Sequence, residues 1–249
     1  MPRFFVRQER VTQNQISIIG DDAHHIARSL RMAVGEKITV CDMQGNEYDC
    51  EIASFDEDRE VIATIISKKE ASNEPACCVT LFQALPKGDK FDTIIQKAVE
   101  CGVSKIVPFQ SERCVVRIKD EAESRKTQRR QRISAEAAKQ CGRSVIPDVI
   151  DSVTFAQALD IAKDSADVCL FCYEGAGTEP LGRVLRGMEN DFPKRVAVFV
   201  GSEGGFSQKE ANVARDMGMK MIGLGKRILR TETASGFVLA CIAFSSELL

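Results

Sequence analysis

Three segments in the C-terminal half of this 249-residue chain combine glycines with charged side chains in spacings that can do chemistry. They are Glu174-Gly175-Ala176-Gly177-Thr178, Gly201-Ser202-Glu203-Gly204-Gly205-Phe206-Ser207 and Gly225-Lys226-Arg227-Ile228-Leu229-Arg230-Thr231. Each follows a short apolar run: 168–173, 196–200 and 220–224 respectively. If those runs are parallel strands, all three loops leave the same edge of the sheet, where open α/β folds bind ligands. In the middle loop, the glycines permit positive φ and close approach of the backbone to a ligand. Ser207 and Glu210 form an S-x-x-E capping box, and amides at the start of a helix can hold an acceptor. A tight strand–helix turn is the plainer reading of the same residues. No Lys-Ser or Lys-Thr follows the last glycine, so this is not a Walker A loop. In the third loop, Lys226, Arg227 and Arg230 stand directly before a helix and oppose its dipole, a choice that an anionic substrate explains, with plain surface placement as the alternative.

Other chemistries are poorly supported. YEGAG has the acidic-x-Gly-x-Gly form of a Rossmann-type site, yet only 75 residues follow Glu174, too few for the rest of such a sheet. Cys169 and Cys172 lie three apart in an expected strand and so face opposite sides. The two histidines, His24 and His25, are adjacent, and neither HExxH nor GxSxG occurs, so neither a metal site nor a serine triad is expected. Cys141 reads as a core thiol.

The elements that must position these loops follow from patterning. With 44% hydrophobic and 28% charged residues, the chain has material for one large domain or two. No window approaches eighteen consecutive apolar residues, and MPRFFVRQER lacks the apolar core of a signal peptide, so no membrane partner is expected. The ten scattered cysteines read as free thiols of a reducing compartment. Residues 1–68 read as a small β-rich unit. Phe4-Phe5-Val6 opens it, and a helix from Asp21 to about Met32 carries an apolar stripe of Ala23, Ala27, Leu30 and Val34. Strands are expected at 37–41, 48–55 and 60–67, parted by turns at 44–46 and 56–59, which suggests a small barrel. The polar run 68–75 reads as a linker. Beyond it, strands and helices alternate: strands over 77–85, 105–109, 168–173, 196–200 and 220–224, helices over 89–101, 122–141, 155–163, 179–188, 208–217 and 232–248. That alternation predicts a parallel α/β sheet covered on both faces. The net charge of −2 is uneven, because residues 113–143 carry 10 basic against 4 acidic groups. A field of that sign fits nucleic acid as a partner, and equally a solvated charged helix.

VGSEGGFSQKE followed by LGKRILRTETA resembles the SPOUT-class methyltransferases that methylate N3 of a uridine in 16S ribosomal RNA. MPRFFV, HHIARSLRM with GEKITVCD, IQKAVECGV with IVPF, and ISAEAAKQCGR agree with that family in order, so the resemblance spans nearly the whole chain. Ser202, Cys101 and Ser29 stand where the family has proline, leucine and valine. The resemblance implies an α/β fold in which a SPOUT-type parallel sheet with a trefoil knot, residues 76–249, follows a PUA-like, RNA-binding β-barrel, residues 1–70. It implies S-adenosylmethionine as cofactor, 16S rRNA or the assembled small subunit as partner, a homodimer and a cytoplasmic location. Arg230, then Arg227, would favour the uridine imidate, and Glu232 is the nearest candidate base. Gly201, Glu203, Gly204 and Gly205 would hold the cofactor with Leu224, Gly225, Leu229, Thr231 and Ala234. Phe171, Ile228 and Glu174 join them, the first two as possible packing against adenine. Arg129, Arg130 and Arg143 would hold RNA phosphates along with Arg125, Lys126 and Arg132. Arg7, His25, Arg28 and Arg31, with His24, would add a second contact. A SPOUT enzyme acting on a ribose or another base, and a non-enzymatic ribosome-assembly factor, are the alternatives.

Overall fold

A computed structural model describes residues 1–56, 60–118 and 120–248. Most of the turn expected at 56–59 lies outside the described residues. The chain divides into two compact units, Met1–Glu74 with Ala138–Ile146, and Pro75–Ala137 with Pro147–Leu249.

The first unit is a five-stranded sheet. Its strands are β1 (Arg3–Phe5), β2 (Gln15–Ile19), β3 (Lys37–Cys41), β4 (Asn46–Asp56) and β5 (Glu60–Glu70), in the order β1-β3-β4-β5-β2. β1 runs parallel to β3 and the other pairs are antiparallel. Ladders among the described residues form an open path rather than a closed ring. Phe4, Ile16, Ile18, Ile38, Val40 and Ile52 fill its core. The expected helix over 21–32 is instead one short turn, α1 (Asp21–His24), followed by a π-helical turn over His25–Ser29. There the Leu30 amide bonds the His25 carbonyl, five residues back. The wider turn rotates every later side chain away from a 3.6-residue stripe. Ala23 and Ile26 are therefore buried, while Leu30 and Val34 are exposed.

Residues 138–146 join this unit through its polar groups, whereas the reading from sequence grouped them with everything after 76. The Glu74 carboxylate accepts from Arg143 Nη2 at 2.6 Å and from the amides of Ser144 and Val145 at 2.7 and 3.1 Å. Lys139 Nζ bonds Asp22 at 2.7 Å. Glu74, read as part of a polar linker, is thus a half-buried anchor, a role that no local pattern announces.

The second unit carries β6 (Cys78–Ala84), α2 (Lys90–Glu100), β7 (Val103–Gln110), α3 (Asp120–Cys141), β8 (Asp148–Val149), β9 (Val153–Thr154) and α4 (Phe155–Ser165). It continues through β10 (Val168–Cys172), β11 (Glu179–Pro180), α5 (Leu181–Arg186), β12 (Arg195–Val200), α6 (Gln208–Asp216), β13 (Lys220–Gly223) and α7 (Thr231–Glu247). All ladders are parallel, in the order β11-β13-β10-β12-β6-β7-β8, with β9 also on β7. Strands of a parallel sheet are buried on both faces, which is why they read as continuous apolar runs. Phe82, Phe109, Phe171, Phe199 and Phe206 meet in one core, with Phe82 and Phe199 stacked at 4.4 Å. The two-residue strands β8, β9 and β11 are too short to make a periodic signal. The helix expected over 179–188 gives up Glu179-Pro180 to β11 and begins at Leu181.

Candidate active site

The loops after β10, β12 and β13 converge on one cleft of about 800 Å³ at the C-terminal edge of the parallel sheet. Parallel pairing of β10 with both β12 and β13 produces this convergence, because each loop must leave the same side. Glu174, Gly201, Glu203, Gly204 and Gly205 line the cleft. So do Leu224, Gly225, Ile228, Leu229, Thr231 and Ala234, with Arg227 and Arg230 beside them.

The middle loop is shaped by its glycines. A Cβ on Gly201 would stand 3.1 Å from the Gly205 backbone, so any larger residue there must push the loop open by a few tenths of an ångström. Gly205 has φ +64° with no atom within 4 Å of where a Cβ would stand, which leaves its backbone open to a ligand. The expected capping box is present. Ser207 Oγ accepts from the Glu210 amide and Glu210 Oε2 accepts from the Ser207 amide, at 3.2 and 2.9 Å. Glu210 also accepts from the Glu112 amide at 2.8 Å, and Ser207 Oγ donates to Glu112 at 2.6 Å. These bonds tie the loop after β7 to the start of α6.

A buried polar network fixes the third loop against the second. Thr231 Oγ1 donates to the Gly201 carbonyl at 2.6 Å and accepts from Gln83 Nε2 at 2.9 Å. Ser235 Oγ donates to Gln83 Oε1 at 2.6 Å. Three separate stretches of chain (the end of β6, the loop after β12 and the first turn of α7) are locked together by one glutamine that is fully buried. Sequence reading overlooked Gln83, although a lone glutamine inside an apolar strand run was the available signal. It also overlooked Lys90, Arg113, Tyr173 and Gln208, which line the cleft from other elements. Arg113 donates to the Gly204 carbonyl at 3.0 Å and Tyr173 donates to Gln208 Oε1 at 3.1 Å.

The electrostatics of the cleft are set by Glu203 and the cations. Burial of the Glu203 carboxyl raises its pKa, but hydrogen bonds from Lys90 Nζ at 2.6 Å and from the Lys87 amide outweigh it and hold it below the ordinary range. Lys226, Arg227 and Arg230 stay exposed at the mouth, and Arg230 is the extended residue directly before α7. Burial pushes the thiol of Cys172, also a lining residue, up to about 12, so at neutral pH it is a thiol and not a nucleophile.

Several expected roles do not match the geometry. Phe171 is fully buried, with its ring 4.1 Å from that of Phe206 and 5.9 Å from that of Phe199. It is a core side chain beneath the cleft, because a doubly covered sheet leaves neither strand face free. Glu232 does not line the cleft, and its Oε2 is buried without a hydrogen-bond partner among the described residues. Arg130 is buried, bonded to Glu123 at 2.9 Å and Ser152 at 3.0 Å, and lies over the Phe91 ring at 4.7 Å. Arg143 is buried against Glu74. Both arginines hold structure rather than present a charge to solvent. Arg129 is exposed and pairs with Asp92 in a bidentate arrangement. Arg125 and Arg132 are exposed on α3, and Arg7, His24, His25, Arg28 and Arg31 are exposed in the first unit. Among the described residues, no group of three or more His, Cys, Asp or Glu side chains is placed to hold a metal ion. No described helix is long and apolar enough to cross a membrane.

Comparison with known proteins extends this geometry. Residues 73–243 match the RNA methyltransferase domain family, and residues 18–66 match the RNA methyltransferase PUA domain family. The ribosomal RNA small subunit methyltransferase E of Bacillus subtilis is 34% identical over 257 aligned residues, covering 100% of this chain and 98% of that protein. The chain belongs to the ribosomal RNA small subunit methyltransferase E family. The Synechocystis member is 29% identical over 96% of this chain and 76% of its own length. The Neisseria gonorrhoeae member, solved bound to S-adenosyl methionine, superimposes with a TM-score of 0.85 at 29% identity over 98% of this chain and 97% of that one. A putative Legionella pneumophila methyltransferase, solved with the same cofactor, gives 0.83 at 29% identity and 96% coverage of both chains. The family thus joins a PUA domain to a mixed α/β unit built on a parallel sheet, and the cleft described above belongs to that second unit.

Proposed function

We propose that this chain transfers a methyl group from S-adenosylmethionine to N3 of a uridine in the 16S ribosomal RNA of the small subunit. The observation that carries the reading is the convergence of the three loops on one cleft, in a chain that aligns end to end with rRNA small subunit methyltransferases. The cleft fits the cofactor. Its volume suits a nucleoside-sized ligand, and its floor at Gly205 and Gly225 is open backbone. Gly201, Gly204, Gly205, Leu224 and Leu229 would hold it through main-chain groups, with Ile228 and Ala234 as apolar contacts. Bound there, S-adenosylmethionine supplies an electrophilic methyl on a sulfonium centre.

The chain's own residues then have two tasks. One is to orient the uridine, since proximity and alignment alone supply about 7–11 kcal/mol of a bimolecular barrier. The other is to favour the N3 imidate, left once the imide proton passes to water, over the protonated imide. A cation beside O2 or O4 does this. Arg230 takes that role first and Arg227 second, and the N-terminal end of α7 adds a positive potential at the same place. The Gln83–Thr231–Ser235 network holds that helix end in register with the middle loop.

The same reading carries a trefoil knot in the second unit, RNA binding by the PUA-like residues 1–70, and the methyltransferase domain over 76–249. It carries a cytoplasmic location, where small subunits are assembled. It also carries a homodimer, supported by the exposed Phe237 and Phe244, seven residues apart on α7, with Leu248 exposed just past its end. The test is incubation of the purified chain with unmodified small subunits and S-adenosylmethionine, followed by nucleoside mass spectrometry. 3-Methyluridine is the expected product. A 2′-O-methylated nucleoside would move the reaction to the ribose, and no methylation by a chain that binds the cofactor would overturn the enzymatic reading.

A further inference from the structure

A second, smaller pocket of about 190 Å³ lies in the same unit, between the loop after β6 and helix α3. Leu85, Phe91 and Val116 make its apolar wall, and Asp92, Lys126 and Arg129 its polar rim. The wall is rigid, because Arg130 covers one face of Phe91 and is itself held by Glu123 and Ser152. The rim is not. Arg129 and Asp92 form an exposed ion pair, of the kind that contributes little and exchanges partners readily. Lys126 is 40% exposed, with the Glu123 carboxylate 3.8 Å away. Lys126 and Arg129 sit three apart on one helix, on the same face.

The two cavities meet at the start of α2. Lys90 lines the large cleft and holds Glu203, and the Lys87 amide bonds the same carboxylate. Phe91 and Asp92, next in sequence, line the small pocket. Consecutive residues at one helix end thus belong to both.

We propose that this pocket takes a nucleotide of the RNA substrate adjoining the reacting uridine. The base packs against Leu85, Phe91 and Val116, and its phosphate displaces Asp92 from Arg129 and is shared with Lys126. The freed Asp92 carboxylate is an acceptor suited to a ribose 2′-hydroxyl, the group that marks RNA apart from DNA. This inference rests on the chain acting on RNA, as proposed above.

The test uses the full chain, unmodified small subunits and S-adenosylmethionine, with a Lys126→Ala/Arg129→Ala double variant and a Val116→Trp variant that fills the pocket. Cofactor affinity by calorimetry and thermal midpoints accompany the kinetics. The expected result is a KM for small subunits raised about tenfold in both variants, with the cofactor dissociation constant of the wild type. In the double variant, the slope of log affinity against log salt falls by about 0.7, the loss of one single-strand phosphate contact. Should Val116→Trp misfold, the double variant, which touches no core side chain, decides alone. Wild-type KM and salt slope in a folded variant would overturn the pocket while leaving the methylation intact. Failure of the wild type to methylate small subunits would instead overturn the functional reading on which the pocket depends.

Discussion

Thr231→Val tests whether the cleft is held together by its buried polar network. Valine nearly preserves the shape of the side chain and removes its hydroxyl. Two hydrogen bonds are lost: the donation to the Gly201 carbonyl at 2.6 Å and the acceptance from Gln83 Nε2 at 2.9 Å. Neither partner is left wholly alone, because Gln83 Nε2 still donates to the Ala84 carbonyl at 3.0 Å and reaches Gly201 O at 3.5 Å. The cost is therefore that of two ordinary hydrogen bonds, about 2 kcal/mol in all, without a desolvation penalty on top. For a chain of this size that lowers the melting temperature by about 4–8 °C. The Gly201 carbonyl belongs to the cleft loop, so its release loosens the cofactor site. We expect S-adenosylmethionine affinity, by calorimetric titration, to fall about tenfold, equivalent to ~1.4 kcal/mol. A double-mutant cycle with Gln83→Leu isolates the bond the two residues share, with an expected coupling of about 1 kcal/mol in urea denaturation. Additivity within about 0.3 kcal/mol, or unchanged cofactor affinity in a destabilised variant, would refute the claim that the network positions the site.

The two neighbouring arginines of α3 are expected to behave oppositely. Arg130→Ala takes the nearest cation from the buried Glu123 carboxylate, which keeps the Ser152 amide at 3.1 Å and Lys126 at 3.8 Å, and should cost about 3 kcal/mol in urea denaturation, whereas Arg129→Ala should stay within about 1 kcal/mol. Arg230→Ala should lower the single-turnover methyl-transfer rate about 100-fold, the loss of one group that stabilises developing charge, with cofactor affinity changed far less. Glu203 has a pKa below its unfolded value, so its contribution to stability is present in full above the ordinary carboxylate pKa and is lost as pH falls through the folded value. The stability difference between wild type and Glu203→Gln should therefore be constant from neutral pH down to the ordinary carboxylate range and shrink below it, as followed by thermal melts across that series.

Much of the site was legible in the sequence because its signals are local. Apolar β-branched runs announced the parallel strands, and parallel strands dictate that the loops following them share one edge. Ser207 and Glu210 lie three apart, the spacing at which each reaches the other's amide, so the capping box needed no tertiary context. Charge counting located the basic segment of α3. It did not say which cations face solvent, since burial depends on what packs against the helix. Only the fold placed Arg130 over Phe91 and Arg143 against Glu74, removing both from any nucleic-acid face while leaving Arg129 outside. The π-turn after α1 escaped detection because a one-residue widening changes the face of every later side chain without changing composition. Thr231 and Ser235 stand one turn apart on α7, but Gln83 lies 148 residues from the first and 152 from the second, and no spacing rule connects it to them. Local patterning decided which loops could carry chemistry. The long-range packing of β6, β12 and α7 decided how those loops are held, because a buried hydrogen-bond network exists only once all its members have been brought out of water together.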